Sequence, residues 1–333
     1  MNDHKNQVDI PMPDSIWHGT VLSDGIIGIW CEIHSEMRKI VMRETIFEKL
    51  KSKVSFAAEI RRLDELIHDK HGIKVEIPKT LIAMSDDDYD VSFYSLEYFF
   101  DQVKFKSWKS RGTCINCDDM RETLLLDEIL GNDDPTDKET ITFCEYVANL
   151  VSMYDKTNLK ESIHIKATSV ITAIKDNLTS LLDLLNCEMK VFEDQECVLI
   201  VEKNAAVTAV AETTDKELSF RIIQYNHIAL KGQLTRKKEI LQMLGNQLEP
   251  ERKNLTSVNK QLADNIFFLL NNLDVRHNNR SKKDKNFKEY TAQMTKKRLE
   301  KWYDELYQMI LLAMLELEQM KRNKRIDELK SHY

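Results

Sequence analysis

Arg276, His277, Asn278, Asn279 and Arg280 stand side by side in the stretch LNNLDVRHNNRSKKDKNF, residues 270–287, and a lysine-rich run follows them. An imidazole, two guanidinium groups and two amides at the end of a helical pattern are the side chains that grip a phosphodiester. They are also competent to cleave one. An imidazole suits the role of base or acid toward a ribose 2′-hydroxyl, which His277 would take, and Arg276 or Arg280 suits the charge on a pentavalent phosphate. Such cleavage needs no metal, so no cofactor is expected. Asn278, Asn279, Lys282, Lys283 and Lys285 are the expected substrate contacts. The plain alternative is a polar connection between two helices with a solvated lysine run.

Other chemistry has thinner support. Cys114 and Cys117 have the C-x-x-C spacing of a zinc half-site, and Cys31 and His34 are spaced C-x-x-H. Four ligands complete a structural zinc site, and without a second C-x-x-C the default is ordinary core or loop cysteines. The aspartates at 86, 87, 88 and 90 and at 133, 134 and 137 lack the glycine-centred spacing of a calcium loop, and they stand where helix caps belong. No G-x-x-x-x-G-K, G-x-G-x-x-G or G-x-S-x-G occurs, which sets aside P-loop and Rossmann nucleotide binding and the usual serine hydrolases.

The elements that position these residues are expected to be helical. The 333 residues contain only 8 Gly and 5 Pro, too few for the turns of an all-β fold, while 42% are apolar and 31% charged. The expected class is all-α: an elongated multi-helix bundle with at most a short strand pair. An arm over residues 1–20 precedes helical patterns at 26–53, 56–71, 94–103 (capped by residues 84–92), 120–130 and 138–154, with IKVEIP (73–78) reading as a short strand or extended link. A soft boundary near 154–162 divides an N-terminal helical region, 1–155, from a C-terminal bundle, 156–333. Helical patterns follow at 162–189, 215–244 and 250–273. Residues 195–214 are β-branched yet lack turn residues, and helix is the favoured reading over a hairpin. The clearest element is the last, where Leu299, Trp302, Leu306, Met309, Ile310, Ala313, Leu317 and Met320 step by three and four. That stripe is expected to bury a face against a partner, either a second copy or another protein.

Net charge is −7 but uneven: ten Lys/Arg against three acids between Arg276 and Lys301 give +7 there and −14 elsewhere. Such asymmetry focuses anions on one region. The N-terminus lacks the pattern of a secretory signal, no apolar run approaches membrane-spanning length, and six cysteines in a chain this long do not suggest a disulfide scaffold. The expected compartment is the cytoplasm.

Residues 160–325 carry a resemblance. A helical pair near Ile171–Leu185, a later helix ending in Asp274, Arg276 and His277, and a final apolar helix resemble the HEPN-like C-terminal modules of abortive-infection proteins. The resemblance implies an all-α bundle, often dimeric, and for active members metal-independent endoribonuclease activity in phage defence. The family's usual motif is an arginine, a polar residue, a short spacer and a histidine. Here His277 follows Arg276 directly, and the next histidine is His332. A ribonuclease, a degenerate RNA-binding member and a catalytically inert helical interaction protein therefore all stand as expectations.

Overall fold

The computed structural model describes residues 54–78, 89–156 and 164–333. The expected arm, the helical pattern at 26–53 with Cys31 and His34, and Asp86 to Asp88 lie outside them. Helix α1 (Phe56–Ile67) starts where the Ser55 hydroxyl accepts a hydrogen bond from the Ala58 amide, and it buries Ala57, Ile60, Leu63 and Ile67. Three short antiparallel strands follow in the order β2–β1–β3: β1 (Ile73–Pro78) pairs with β2 (Tyr89–Tyr94) and with β3 (His164–Ala167). Ser95 caps α2 (Leu96–Val103), and Asn116 caps α3 (Cys117–Leu124). One helix was expected across 120–130, but Leu125 takes a left-handed conformation and splits it into α3 and α4 (Leu126–Gly131). Helix α5 (Asp137–Asp155) opens with a capping box in which Thr136 and Glu139 satisfy each other's backbone.

After α6 (Ser169–Leu184) comes the main departure from expectation. The segment 195–214, read as helix, holds strand β5 (Cys197–Glu202) and one short helix, α7 (Ala205–Glu212). Strand β5 forms a hairpin with β4 (Cys187–Phe192), so strands β3 and β4 take the two ends of the helical pattern read over 162–189. The usual turn residues are missing because Asn186 and Glu196 take the positive-φ positions that glycine would ordinarily fill. Burial alternates along β5. Val198 and Ile200 enter the apolar cluster built by α1 to α6, whereas Leu199 and Val201 face the cluster of the later helices. A strand directs successive side chains to opposite faces, so this one strand is the wall both cores share. Helix α5 grips its edge: Asn149 donates to the Val198 carbonyl (3.0 Å) and accepts from its amide (2.9 Å), and Glu145 accepts from the Ile200 amide (2.8 Å). The expected boundary at 155/156 therefore falls inside the first apolar cluster; the two clusters meet between Ile200 and Val201.

The second cluster joins α8 (Lys216–Tyr225), α9 (Leu234–Leu248), α10 (Arg252–Val258), α11 (Lys260–Asn272), the single-turn α12 (Glu289–Ala292) and the long α13 (Lys296–Lys330). The described residues thus hold thirteen α-helices and two small antiparallel sheets, a mostly helical fold with more strand than a single pair. None of these helices is long and apolar enough to cross a membrane. The α13 stripe is consumed at home: Leu299, Tyr303, Leu306, Tyr307, Ile310, Leu311, Ala313 and Leu317 are buried against α7, α9, α10 and α11. The face expected to meet a partner is therefore not free. Trp302 lies on its flank, 36% exposed.

Gly245 lets α9 and α11 approach. A Cβ there would sit 2.8 Å from Cδ2 and 3.0 Å from Cδ1 of Leu270, which is fully buried. Gly245→Ala gains about 1 kcal/mol of helix propensity, against about 2 kcal/mol of overpacking. The expected result in urea unfolding is a net loss of about 1 kcal/mol; a stabilised variant would show that Leu270 moves aside without strain.

Candidate nucleic-acid interface

The 274–288 loop is built around a buried amide. Asp274 turns the chain in a left-handed conformation as α11 ends, and Val275 is buried beneath it. Asn279 is fully buried: its side-chain oxygen accepts from the Asp274 amide (2.8 Å), while the Asp274 carboxylate accepts from the Asn279 amide (2.9 Å). The Asn279 side chain also donates to the Asn286 carbonyl (2.7 Å), and its own carbonyl accepts from the Lys288 amide (2.8 Å). Asn279, expected as a substrate contact, instead closes the loop on itself.

Both arginines of the expected catalytic set have protein partners. The Arg276 guanidinium pairs with Glu249, donates to the Gly245 carbonyl (2.9 Å) and lies 5.3 Å from the centre of the Phe267 ring. Arg280 donates to the Met294 carbonyl (3.2 Å), fastening the loop to the approach to α13. His277 and Asn278 are exposed, and among the described residues no hydrogen bond orients the His277 ring. What the loop presents outward is one imidazole, the amides of Asn278 and Asn286, the Ser281 side chain and lysines.

Those lysines continue past the loop. Lys282, Lys283, Lys285 and Lys288, then Lys296, Lys297 and Lys301 at the start of α13, are all exposed. None makes an ion pair among the described residues. The nearby carboxylates make other contacts: Asp274 pairs with Lys238 (3.2 Å), Asp284 accepts from the Ser281 amide (3.2 Å), and the exposed Glu289 accepts from the Gln293 side chain (3.1 Å). Glu300 and Asp304 both hold the buried Lys237, at 2.8 and 2.7 Å. At 3.6 residues per turn, Glu300 and Asp304 lie on one flank of the α13 stripe and Arg298 and Trp302 on the other. No acidic residue stands in the first turn of α13, where Lys296, Lys297 and Arg298 gather against the positive end of the helix dipole. Arg298 donates to the Tyr290 hydroxyl (2.6 Å), and its guanidinium sits 5.2 Å from the centre of that ring. Tyr290, Arg298 and Trp302 had not been singled out as site residues; the signal available was the cationic excess, which extends to Lys301.

A second concave feature, a cleft of about 450 Å³, opens between the two apolar clusters and is lined by His227, Lys237, Tyr225, Tyr307, Glu300 and Asp304. Its polar groups are spent on one another. His227 donates from Nε2 to Glu145 (2.7 Å) while its Nδ1 accepts from the Ala229 amide (3.3 Å), Tyr225 stacks on Tyr307 at 4.0 Å, and the Tyr225 hydroxyl contacts Asp304 (3.1 Å). Burial pulls the Glu300 carboxyl upward, but the Lys237 hydrogen bond and the Gly232 amide prevail and hold it below the usual range.

Cys114 and Cys117 both turn into the first core. Burial first, then the nearby Glu97 and Asp101 charges, push the Cys117 thiol far above the range in which it would ionise to ligate a metal. No group of three or more His, Cys, Asp or Glu among the described residues is arranged to hold an ion. Comparison with family models, with curated proteins and with solved structures found no match.

Proposed function

We propose that the protein binds the phosphate backbone of RNA through the basic surface from His277 to Lys301, and that it binds without cutting. One observation carries the reading: seven exposed lysines without carboxylate partners among the described residues crowd one loop and the start of α13. Cations at a helix N-terminus oppose the dipole and are a local cost to stability, which a bound anion relieves. The resemblance to HEPN-like modules makes RNA the first polyanion to test. Against cleavage, Arg276 is engaged with Glu249 and Gly245, and the His277 ring has no neighbour to orient it among the described residues.

The test is RNA binding across a salt series, with RNA integrity followed in EDTA. Wild type should bind with an affinity that falls steeply as salt rises, by about 0.7 in the log–log slope for each phosphate contact on a single strand. Replacing Lys282, Lys283, Lys296 and Lys297 together by alanine should weaken binding by roughly 100-fold at low salt and flatten the slope by about 3. Absent or salt-insensitive binding sinks the proposal. RNA cut by wild type but not by His277→Ala would restore a nuclease.

A further inference from the structure

Resting on that reading, we propose that the strand bound is single-stranded, with its bases stacking on Tyr290 and Trp302 while the lysines hold its phosphates. Two large aromatic side chains stand in solvent inside a cationic surface: Tyr290 is 58% exposed and Trp302 36%. Tyr290 is not loose. The Arg298 hydrogen bond to its hydroxyl and the guanidinium against its ring fix the plane. Trp302 lies four residues beyond Arg298 on α13, on the same flank of the helix and one turn along. Lys301 precedes Trp302 directly and Lys288 stands two residues before Tyr290, so both rings occur among cations in the chain.

This is the combination that suits an unpaired strand. Every base offers a π-face, and stacking on an aromatic side chain contributes without regard to sequence. In a duplex those faces are already stacked inside the helix, and recognition falls back on shape, sugar and phosphate. A surface meant for duplex backbone alone has no use for two exposed rings among its cations.

The experiment compares one labelled RNA of about 12 nucleotides, free and annealed to its complement, by fluorescence anisotropy. It uses wild type, Tyr290→Ala, Trp302→Ala and Tyr290→Phe. Wild type should bind the single strand at least about 10-fold more tightly than the duplex. Each alanine variant should lose about 5- to 100-fold on the single strand alone, the range expected for one stacked base. The salt slope should not move, because no charge is removed, and Tyr290→Phe should retain most of the affinity. Equal binding of both forms, with the aromatic variants neutral, overturns the single-strand assignment and leaves backbone binding standing. Salt-sensitive binding to neither form overturns the backbone reading itself.

Discussion

Glu97→Ala should lower the unfolding free energy by about 4 kcal/mol, within the range for removing one partner of a buried ionic cluster. The carboxylate is 5% exposed at the start of α2. It accepts from His68 Nε2 (2.7 Å) and from the Tyr146 hydroxyl (2.6 Å), and Arg121 lies 3.5 Å away. Three elements, α1, α3 and α5, are thus tied to α2 through one side chain. Arg121 keeps Asp64 (3.0 Å) and Asp127 (2.8 Å) without it, but the buried Tyr146 hydroxyl loses its carboxylate acceptor and keeps only the weaker Cys117 thiol.

The same variant should change the pH dependence of stability. The hydrogen bond to Glu97 raises the His68 pKa from 6.5 to about 9, against the pull of burial and with help from the Asp64 carbonyl. A histidine whose folded pKa exceeds its unfolded one contributes stability below the unfolded value and loses it as pH rises through the folded value. Wild-type stability should therefore decline from pH 6.5 to about pH 9 as His68 deprotonates. Glu97 acts in the other direction. Burial favours its neutral form, but the bonds from His68 and Tyr146 prevail and its pKa falls below 4.5, so its contribution is lost as pH drops below that value. Urea unfolding across both windows checks this: Glu97→Ala should remove most of the alkaline decline, leaving what the Asp64 carbonyl sustains. A decline of unchanged size in the variant would assign it to some other group.

The helical class was legible because little else was encoded. Few breakers and apolar steps of three and four give α5 almost as it is, from Asp137 to Asp155, and α13 over 299–320, the apolar part of a helix that runs from Lys296 to Lys330. The β4–β5 hairpin was not legible, since its left-handed positions are Asn186 and Glu196 and its strand edge is satisfied by side chains of α5, a tertiary contact with no local trace. The basic run could be read from composition. Which of its members face outward could not, because that depends on Glu249 and Gly245 being close enough to claim Arg276. Density of competent side chains therefore marked a cationic surface while including three residues, Arg276, Asn279 and Arg280, that the fold engages itself.

Asn279→Ala tests how much that surface depends on its buried support. Of four hydrogen bonds made by Asn279, the substitution removes the two from the side chain, leaving the Asp274 amide and the Asn286 carbonyl without those partners. Two groups stranded at about 1–3 kcal/mol each, eased by water where the loop can open, give an expected loss of about 3 kcal/mol. Asn279→Asp should not rescue it. The oxygen that accepts from Asp274 is retained, but a carboxylate would oppose the Asn286 carbonyl and stand beside the Asp274 carboxylate. Amide exchange at Asp274 and Lys288 should quicken in both variants, because those amides close the loop on Asn279. RNA affinity should fall, but less than in the four-lysine variant, since Lys282 and Lys283 keep their charge and lose only their placement while Lys296 and Lys297 stay anchored on α13. An affinity equal to wild type in a destabilised variant would mean that the loop lysines act only through their charge, and that the fixed turn around Asn279 serves stability alone.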